Sequence, residues 1–142
     1  MQHLLEDDPE LVALIRNEER RIENTLDLIA AENHAPRSVM EALGSIFNTK
    51  TIEGYPKRRF HAGCRHADEV EQLAIDRARK LFKAEHVNVQ AHSGTAANLA
   101  VYFSVLEPGD RVLAMSLPSG GHLSHGHAAS ITSRCFVFEH YG

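Results

Sequence analysis

The chain is short of the features that would set it apart from ordinary globular proteins. It has two cysteines, Cys64 and Cys135, in 142 residues. That is too few for a disulfide framework and points to a reducing compartment, the cytoplasm. No stretch approaches the roughly 18 consecutive apolar residues that a membrane span requires. The opening residues MQHLLEDDPE contain neither a basic segment nor a long apolar one, which argues against a secretory leader. Positive charge is not in excess either. Fifteen Lys and Arg against nineteen Asp and Glu give a formal net charge of -4, so neither nucleic acid nor an anionic membrane is expected as a partner. Hydrophobic residues at 43% and charged residues at 24% exclude a disordered, collagen-like or low-complexity chain.

What the chain does have is histidine, ten in all, three of them between residues 122 and 127. Its apolar pattern reads as helices followed by an α/β region. The first eight residues are polar and are expected to fray. Asp8-Pro9 supplies a cap and a first helical residue, and Leu11, Ile15, Ile22, Leu26 and Ile29 recur on one apolar face. Pro36 starts a second helix reaching about Phe47, weakened at Gly44. Residues 48–67 have no regular period. They hold Gly54, Pro56, Gly63, the basic run Lys57-Arg58-Arg59 and two aromatics, which suits a functional loop better than a solvated linker. Asp68 and Glu71 form an Asp version of a capping box, opening a helix to Lys83.

From residue 84 onward, strands at 87–89, 111–115 and 135–138 alternate with a buried helix at 96–106 and a Gly- and His-rich turn at 118–126. This predicts a parallel α/β sheet. Three short strands with nothing after the third to cover them have the look of a truncated α/β domain.

Three places carry chemistry. Ser93-Gly94-Thr95 lies between a strand end and a helix start, where free N–H groups and the helix dipole favour an anion by roughly 0.3–1 kcal/mol. Two hydroxyls and a glycine there suit a phosphate, although such a tripeptide also serves as a plain cap. His122-Leu123-Ser124-His125-Gly126-His127 is either polar surface, a source of metal ligands, or a supply of flat rings to stack on a cofactor. Its spacing matches no zinc framework, and His61, Cys64 and His66 join it only if the fold brings them together, so no metal is expected. Glu53, in Glu53-Gly54-Tyr55-Pro56, becomes a general acid or base if partly buried.

Taken together and in order, several motifs resemble serine hydroxymethyltransferase. They are Leu28-Ile29-Ala30-Ala31-Glu32-Asn33, Glu53-Gly54-Tyr55-Pro56, Gly63-Cys64 and the run from Val70-Glu71-Gln72-Leu73 to Ala78. Val87-Asn88-Val89-Gln90-Ala91-His92-Ser93-Gly94, Leu106-Glu107-Pro108-Gly109-Asp110 and Gly120-Gly121-His122-Leu123-Ser124-His125-Gly126 continue the series. The resemblance runs from about residue 10 to 142 and corresponds to the N-terminal third or so of the family's chain.

The resemblance implies an α/β protein with part of the aspartate-aminotransferase-like fold of pyridoxal 5'-phosphate enzymes. Residues 1–83 would form an N-terminal helical arm and active-site loop, and residues 84–142 the beginning of the large α/β domain. It implies that Ser93, Gly94 and Thr95 hold the cofactor phosphate and that His122 stacks on the pyridine ring. Glu53 would be the proton-transfer residue, Thr51 and His61 would face the amino-acid substrate, and Leu117, Gly121, His122 and Leu123 would line a tetrahydrofolate site. The implied reaction moves a one-carbon unit between serine and tetrahydrofolate.

The chain also departs from the family's pattern. Ala31 stands where the family has Ser, Thr51 where it has Tyr, and Lys57-Arg58-Arg59-Phe60-His61-Ala62-Gly63 where it has Gly-Lys-Arg-Tyr-Tyr-Gly-Gly. These changes keep two related activities in view, α-methylserine hydroxymethyltransferase and threonine transaldolase. Lys50, Lys57, Lys80 and Lys83 match none of the motifs for the cofactor-anchoring lysine, which the family carries further along together with the aspartate for the pyridine nitrogen and the arginine for the substrate carboxylate. The chain alone is therefore expected to be inactive and to work in a homodimer or with a complementing C-terminal polypeptide. A non-catalytic remnant with a protein-binding role is the other class of reading.

Overall fold

In a computed structural model, residues 2–142 are described. Contacts group them into two units, one ending at Lys50 and the other Thr51–Gly142.

The first unit is helical. Helix α1 covers Gln2–Asp7, so the polar start is ordered and not frayed. Helix α2, Pro9–Glu23, begins as expected: the Asp8 carboxylate accepts the Leu11 N–H at 2.9 Å and Pro9 occupies the first turn. It ends earlier than its apolar period suggests. Asn24 caps it through its own side chain to the Arg20 carbonyl, and Leu26, which continues the stripe in sequence, is 90% exposed outside the helix. The expected second helix is split. Helix α3 is Arg37–Leu43, Gly44 caps it, and a separate 3-10 turn spans Ile46–Thr49. Gly44 thus terminates the helix it was expected only to weaken.

The second unit opens with a small hairpin, strands β1 (Gly54–Tyr55) and β2 (Arg58–Arg59), in a stretch where no regular structure was expected. Pro56 and Lys57 form its turn, and Lys57 takes φ 63°. Left-handed backbone at the second central position, after Pro, is the arrangement that favours glycine. Glycine is the residue the family's pattern has there.

Helix α4 is Arg65–Phe82, starting three residues before the expected cap. Asp68 lies inside it. Its carboxylate accepts from the Lys57 N–H and from Arg59, so partners on the hairpin displace the local capping box. Residues 87–89 form no strand. Helix α5, Gly94–Val105, is present, but none of its residues is buried, contrary to the buried helix its apolar composition predicts.

Strand β3 (Arg111–Met115) pairs in parallel with β4 (Val137–Tyr141), with Arg111 opposite Val137 and Met115 opposite Tyr141. The parallel α/β character is as predicted. The last strand is shifted because Thr132–Cys135 forms a short helix, α6, and this sheet has two strands, not three. Phe136 and Ala114 are buried beside it, while Leu113 on the same strand is 70% exposed. Among the described residues no helix is long and apolar enough to cross a membrane.

Candidate active site

The Glu53 loop is built on a buried arginine. Arg59 lies on β2 with its side chain 4% exposed. Its Nε donates to Asp68 Oδ1 at 2.8 Å and its Nη2 to Glu71 Oε2 at 2.5 Å, both on α4. Its Nη1 donates to the carbonyls of Ile52 at 2.7 Å and Gly54 at 2.6 Å. These bonds favour the charged forms of Arg59 and Asp68. Hydrogen bonding to Glu71 and then Asp68 raises the Arg59 pKa. The Lys57 N–H, followed by Arg59, holds the Asp68 carboxyl below its ordinary range.

The structure brings two predicted site residues together here: His61 Nε2 lies 3.6 Å from Glu53 Oε2. Both side chains are well exposed, so Glu53 does not have the burial that was the condition for raising its proton affinity. Beside them, the Cys64 thiol donates to the His61 carbonyl at 3.2 Å and approaches the Thr51 carbonyl at 3.7 Å, so the backbones of Thr51 and His61 meet at one thiol.

The expected helix start forms at Ser93. Ser93 is the N-cap of α5, and its Oγ accepts the Ala96 N–H at 3.2 Å. That leaves the hydroxyl proton of Ser93 available to an outside acceptor. In the first turn the N–H groups of Gly94 and Thr95 have no intrahelical partner. A Cβ built on Gly94 would meet nothing within 4 Å, so the space beside it is open. Ser93 and Thr95 hydroxyls, two backbone donors, a helix N-terminus and open space form a donor set that fits a phosphate.

His122 is tied to the same helix. Asn98, on α5, donates to Ser124 Oγ at 2.7 Å, and Ser124 Oγ lies 2.7 Å from His122 Nδ1. The Ser124 N–H also points at Nδ1, at 3.2 Å. The Ser124 backbone N–H aims its proton at Nδ1, so the serine hydroxyl meets an accepting ring nitrogen. That ring nitrogen is then an acceptor, and Nε2 carries the proton. Leu117 lies in a 3-10 turn, Leu117–Ser119, after β3, and the Gly121 N–H donates to the Ser116 carbonyl at 2.9 Å. A Cβ at Gly121 would collide with the Met115 and Ser116 carbonyls, so only glycine lets the turn carrying His122 and Leu123 fold this closely on the strand end.

Three other histidines have partners of their own. The Tyr102 hydroxyl lies 2.5 Å from His125 Nδ1, and burial raises the Tyr102 pKa. His127 Nδ1 accepts the Ala129 N–H, and His66 Nδ1 turns to Glu69. Among the described residues no group of three or more His, Cys, Asp or Glu is placed to hold a metal. In the first unit, Ala31 lines an open cleft of about 380 Å³ with Arg21 and Glu32. Arg21 there is already paired with Glu18 at 2.6 Å.

Sequence reading did not single out Asn98 or Gln90, and it took Arg59 only as part of a basic run. A signal for Arg59 was present: Asp68 and Glu71 sit three apart on one helix face, which is a two-carboxylate receptor for a guanidinium.

The model of the serine hydroxymethyltransferase family matches residues 4–142. A serine hydroxymethyltransferase of Coprothermobacter proteolyticus is 56% identical over 140 residues, covering 99% of this chain and 34% of that protein. One of Halorubrum lacusprofundi is 54% identical over 140 residues, with the same coverage. One of Desulforapulum autotrophicum is 55% identical over 135 residues, covering 95% of this chain and 32% of its own length. The chain thus spans about a third of the length of the curated relatives it matches. Their names favour neither the α-methylserine nor the threonine activity.

Proposed function

Because this chain belongs to the serine hydroxymethyltransferase family, we propose that it supplies the phosphate cradle, the ring-stacking imidazole and the proton-transfer carboxylate of a pyridoxal 5'-phosphate enzyme that moves a hydroxymethyl group between serine and tetrahydrofolate. The observation that carries this reading is the pairing of the Ser93-capped, open N-terminus of α5 with His122, held to that helix through Ser124 and Asn98.

Each residue has a role its geometry suits. Ser93, Gly94 and Thr95 donate to the phosphate. His122, its Nδ1 occupied by Ser124, presents its ring to the pyridine. Glu53 takes or gives the proton of the substrate hydroxyl, and His61, 3.6 Å away, stands where the family has a phenol and pairs with it when protonated. Thr51 leaves more room beside the amino acid than the family's tyrosine. Leu117, Gly121 and Leu123 form a wall for the folate ring. When bound, the cofactor supplies the electron sink for breaking the bond to the hydroxymethyl carbon.

In this reading residues 1–83 are the arm and active-site loop and residues 84–142 begin an aspartate-aminotransferase-like large domain, in the cytoplasm. The lysine that anchors the cofactor comes from outside these 142 residues. Helix α5 has no buried residue and Leu113 is 70% exposed on β3. Those apolar surfaces are what the remaining parts of the family's fold, from a complementing polypeptide in a dimeric enzyme, would cover.

The test is a chimera in which residues 4–142 replace the matching third of the Coprothermobacter enzyme. The expected result is cleavage of serine to glycine with tetrahydrofolate as acceptor, with kcat lowered at least about 100-fold by Glu53→Gln, as removal of a general acid-base does. A folded, cofactor-loaded chimera that leaves serine untouched would overturn the proposal.

A further inference from the structure

We infer that Arg59 is the positioning residue of Glu53 and locks the Glu53 loop to the segment that enters the phosphate cradle. The inference rests on the proton-transfer role proposed for Glu53 and deepens it. Glu53 is exposed, so packing of its own side chain does not set its place. Its backbone does. The carbonyl before it (Ile52) and the one after it (Gly54) both accept from Arg59 Nη1, at 2.7 and 2.6 Å. The Glu53 carbonyl itself accepts the Phe60 N–H at 3.1 Å. Three successive carbonyls are therefore held, two of them by one buried guanidinium nitrogen.

The guanidinium is fixed in turn by Asp68 and Glu71 on α4. A structural ion pair would need only these carboxylates. The two carbonyls flanking Glu53 are what assign Arg59 to the loop. Lysine cannot reproduce the fork, because it offers one compact ammonium where four acceptors lie in different directions.

The same anchor reaches the cradle. Gln90 Nε2 donates to the Gly54 carbonyl at 2.9 Å and to Glu71 Oε1 at 2.6 Å. Gly54 and Glu71 are thus shared by Arg59 and Gln90, and Gln90 precedes Ser93 by three residues. The loop that carries Glu53 and the segment that leads to Ser93 hang on one polar knot.

Two measurements test this. In the 142-residue chain, Arg59→Gln is expected to speed amide hydrogen exchange at Lys57 and Phe60 about tenfold or more, with the amides of α4 and α5 within about twofold of the parent. Arg59→Lys, which keeps a charge beside Asp68 and Glu71, gives an intermediate acceleration and serves if the Gln variant does not fold. Unchanged exchange at both amides in the Lys variant would overturn the inference.

In the chimera, Arg59→Lys is expected to lower kcat about tenfold with KM for serine within about threefold, and to have no further effect once Glu53→Gln is present, since it acts through Glu53. Multiplying losses would assign Arg59 a structural role only and overturn the inference. If Glu53→Gln alone leaves kcat unchanged, the proposed role of Glu53 fails, while the exchange data still decide whether Arg59 holds the loop.

Discussion

Asn98 on helix α5 and Ser124 in the histidine turn are joined by a 2.7 Å hydrogen bond between side chains. Ser124 is 1% exposed, so its hydroxyl depends on protein partners, and it lies 2.7 Å from His122 Nδ1. One bond therefore sets the orientation of the ring expected to stack on the cofactor relative to the helix whose N-terminus is expected to hold the phosphate.

Asn98→Leu removes the donor to a buried hydroxyl. It is expected to lower stability by about 1–3 kcal/mol and to free Ser124 from its fixed role toward His122. Denaturant unfolding measures the first effect. The ring nitrogen shifts of His122 in NMR measure the second, moving from a single tautomer toward a mixture.

Ser93 combines two jobs that substitution can separate. Ser93→Ala removes the cap and costs about 1 kcal/mol, whereas Ser93→Gly costs only a few tenths. Both lose the hydroxyl. In the chimera both are expected to weaken pyridoxal 5'-phosphate about 10- to 100-fold, the worth of a hydrogen bond to a charged group. Only the Ala variant should unfold earlier. Cofactor titration alongside thermal unfolding reads both effects.

Lys57 occupies a left-handed turn position at φ 63°. Lys57→Gly is expected to stabilise the chain by about 0.5–1 kcal/mol, because the relief of a left-handed side-chain clash exceeds the entropy gained by the unfolded chain. The Lys57 N–H that Asp68 accepts is kept in the variant. A shift in the denaturation midpoint without a change in slope is the observable.

Asp68 gives the loop a pH limit. Its carboxyl is held below the ordinary value by the Lys57 N–H and Arg59. A depressed pKa contributes stability that is complete above the unfolded value, about 3.9, and is lost as pH falls through the lower folded value. Arg59 is shifted upward and stays charged throughout. Loop anchoring, followed by exchange of the Lys57 amide, is therefore expected to be constant from neutral pH to about pH 5 and to fail only below about pH 4. Asp68→Asn should remove that dependence.

Local chemistry was the legible part of this chain. The Asp8-Pro9 start, the Ser93 cap, strand β3 and the parallel pairing all follow from short-range preferences and were readable. Features decided by distant partners were not. Helix α2 stops at Glu23 although its stripe continues to Ile29, because periodicity cannot tell whether an apolar face has anything to pack on. Asp68 and Glu71 look like a cap until Arg59 claims both. Residues 87–89 have strand composition but no neighbouring strand to pair with, and backbone pairing, not composition, makes a strand. Helix α5 is strongly apolar, yet none of its residues is fully buried, because composition does not say what packs on a helix. Around the proposed site, Ser93 and His122 stand out by residue type and motif, while Asn98 and Gln90 show their contacts only with residues 26 and 36 positions away in sequence.

The most direct test of the account mixes this chain with a polypeptide comprising the remaining two thirds of the Coprothermobacter enzyme, adds pyridoxal 5'-phosphate, and follows both serine turnover and borohydride trapping of the cofactor. The account predicts glycine only when both polypeptides are present, with the cofactor trapped on a lysine of the complementing one. A cofactor trapped at a single lysine of the 142-residue chain, together with serine turnover by that chain alone, would contradict it.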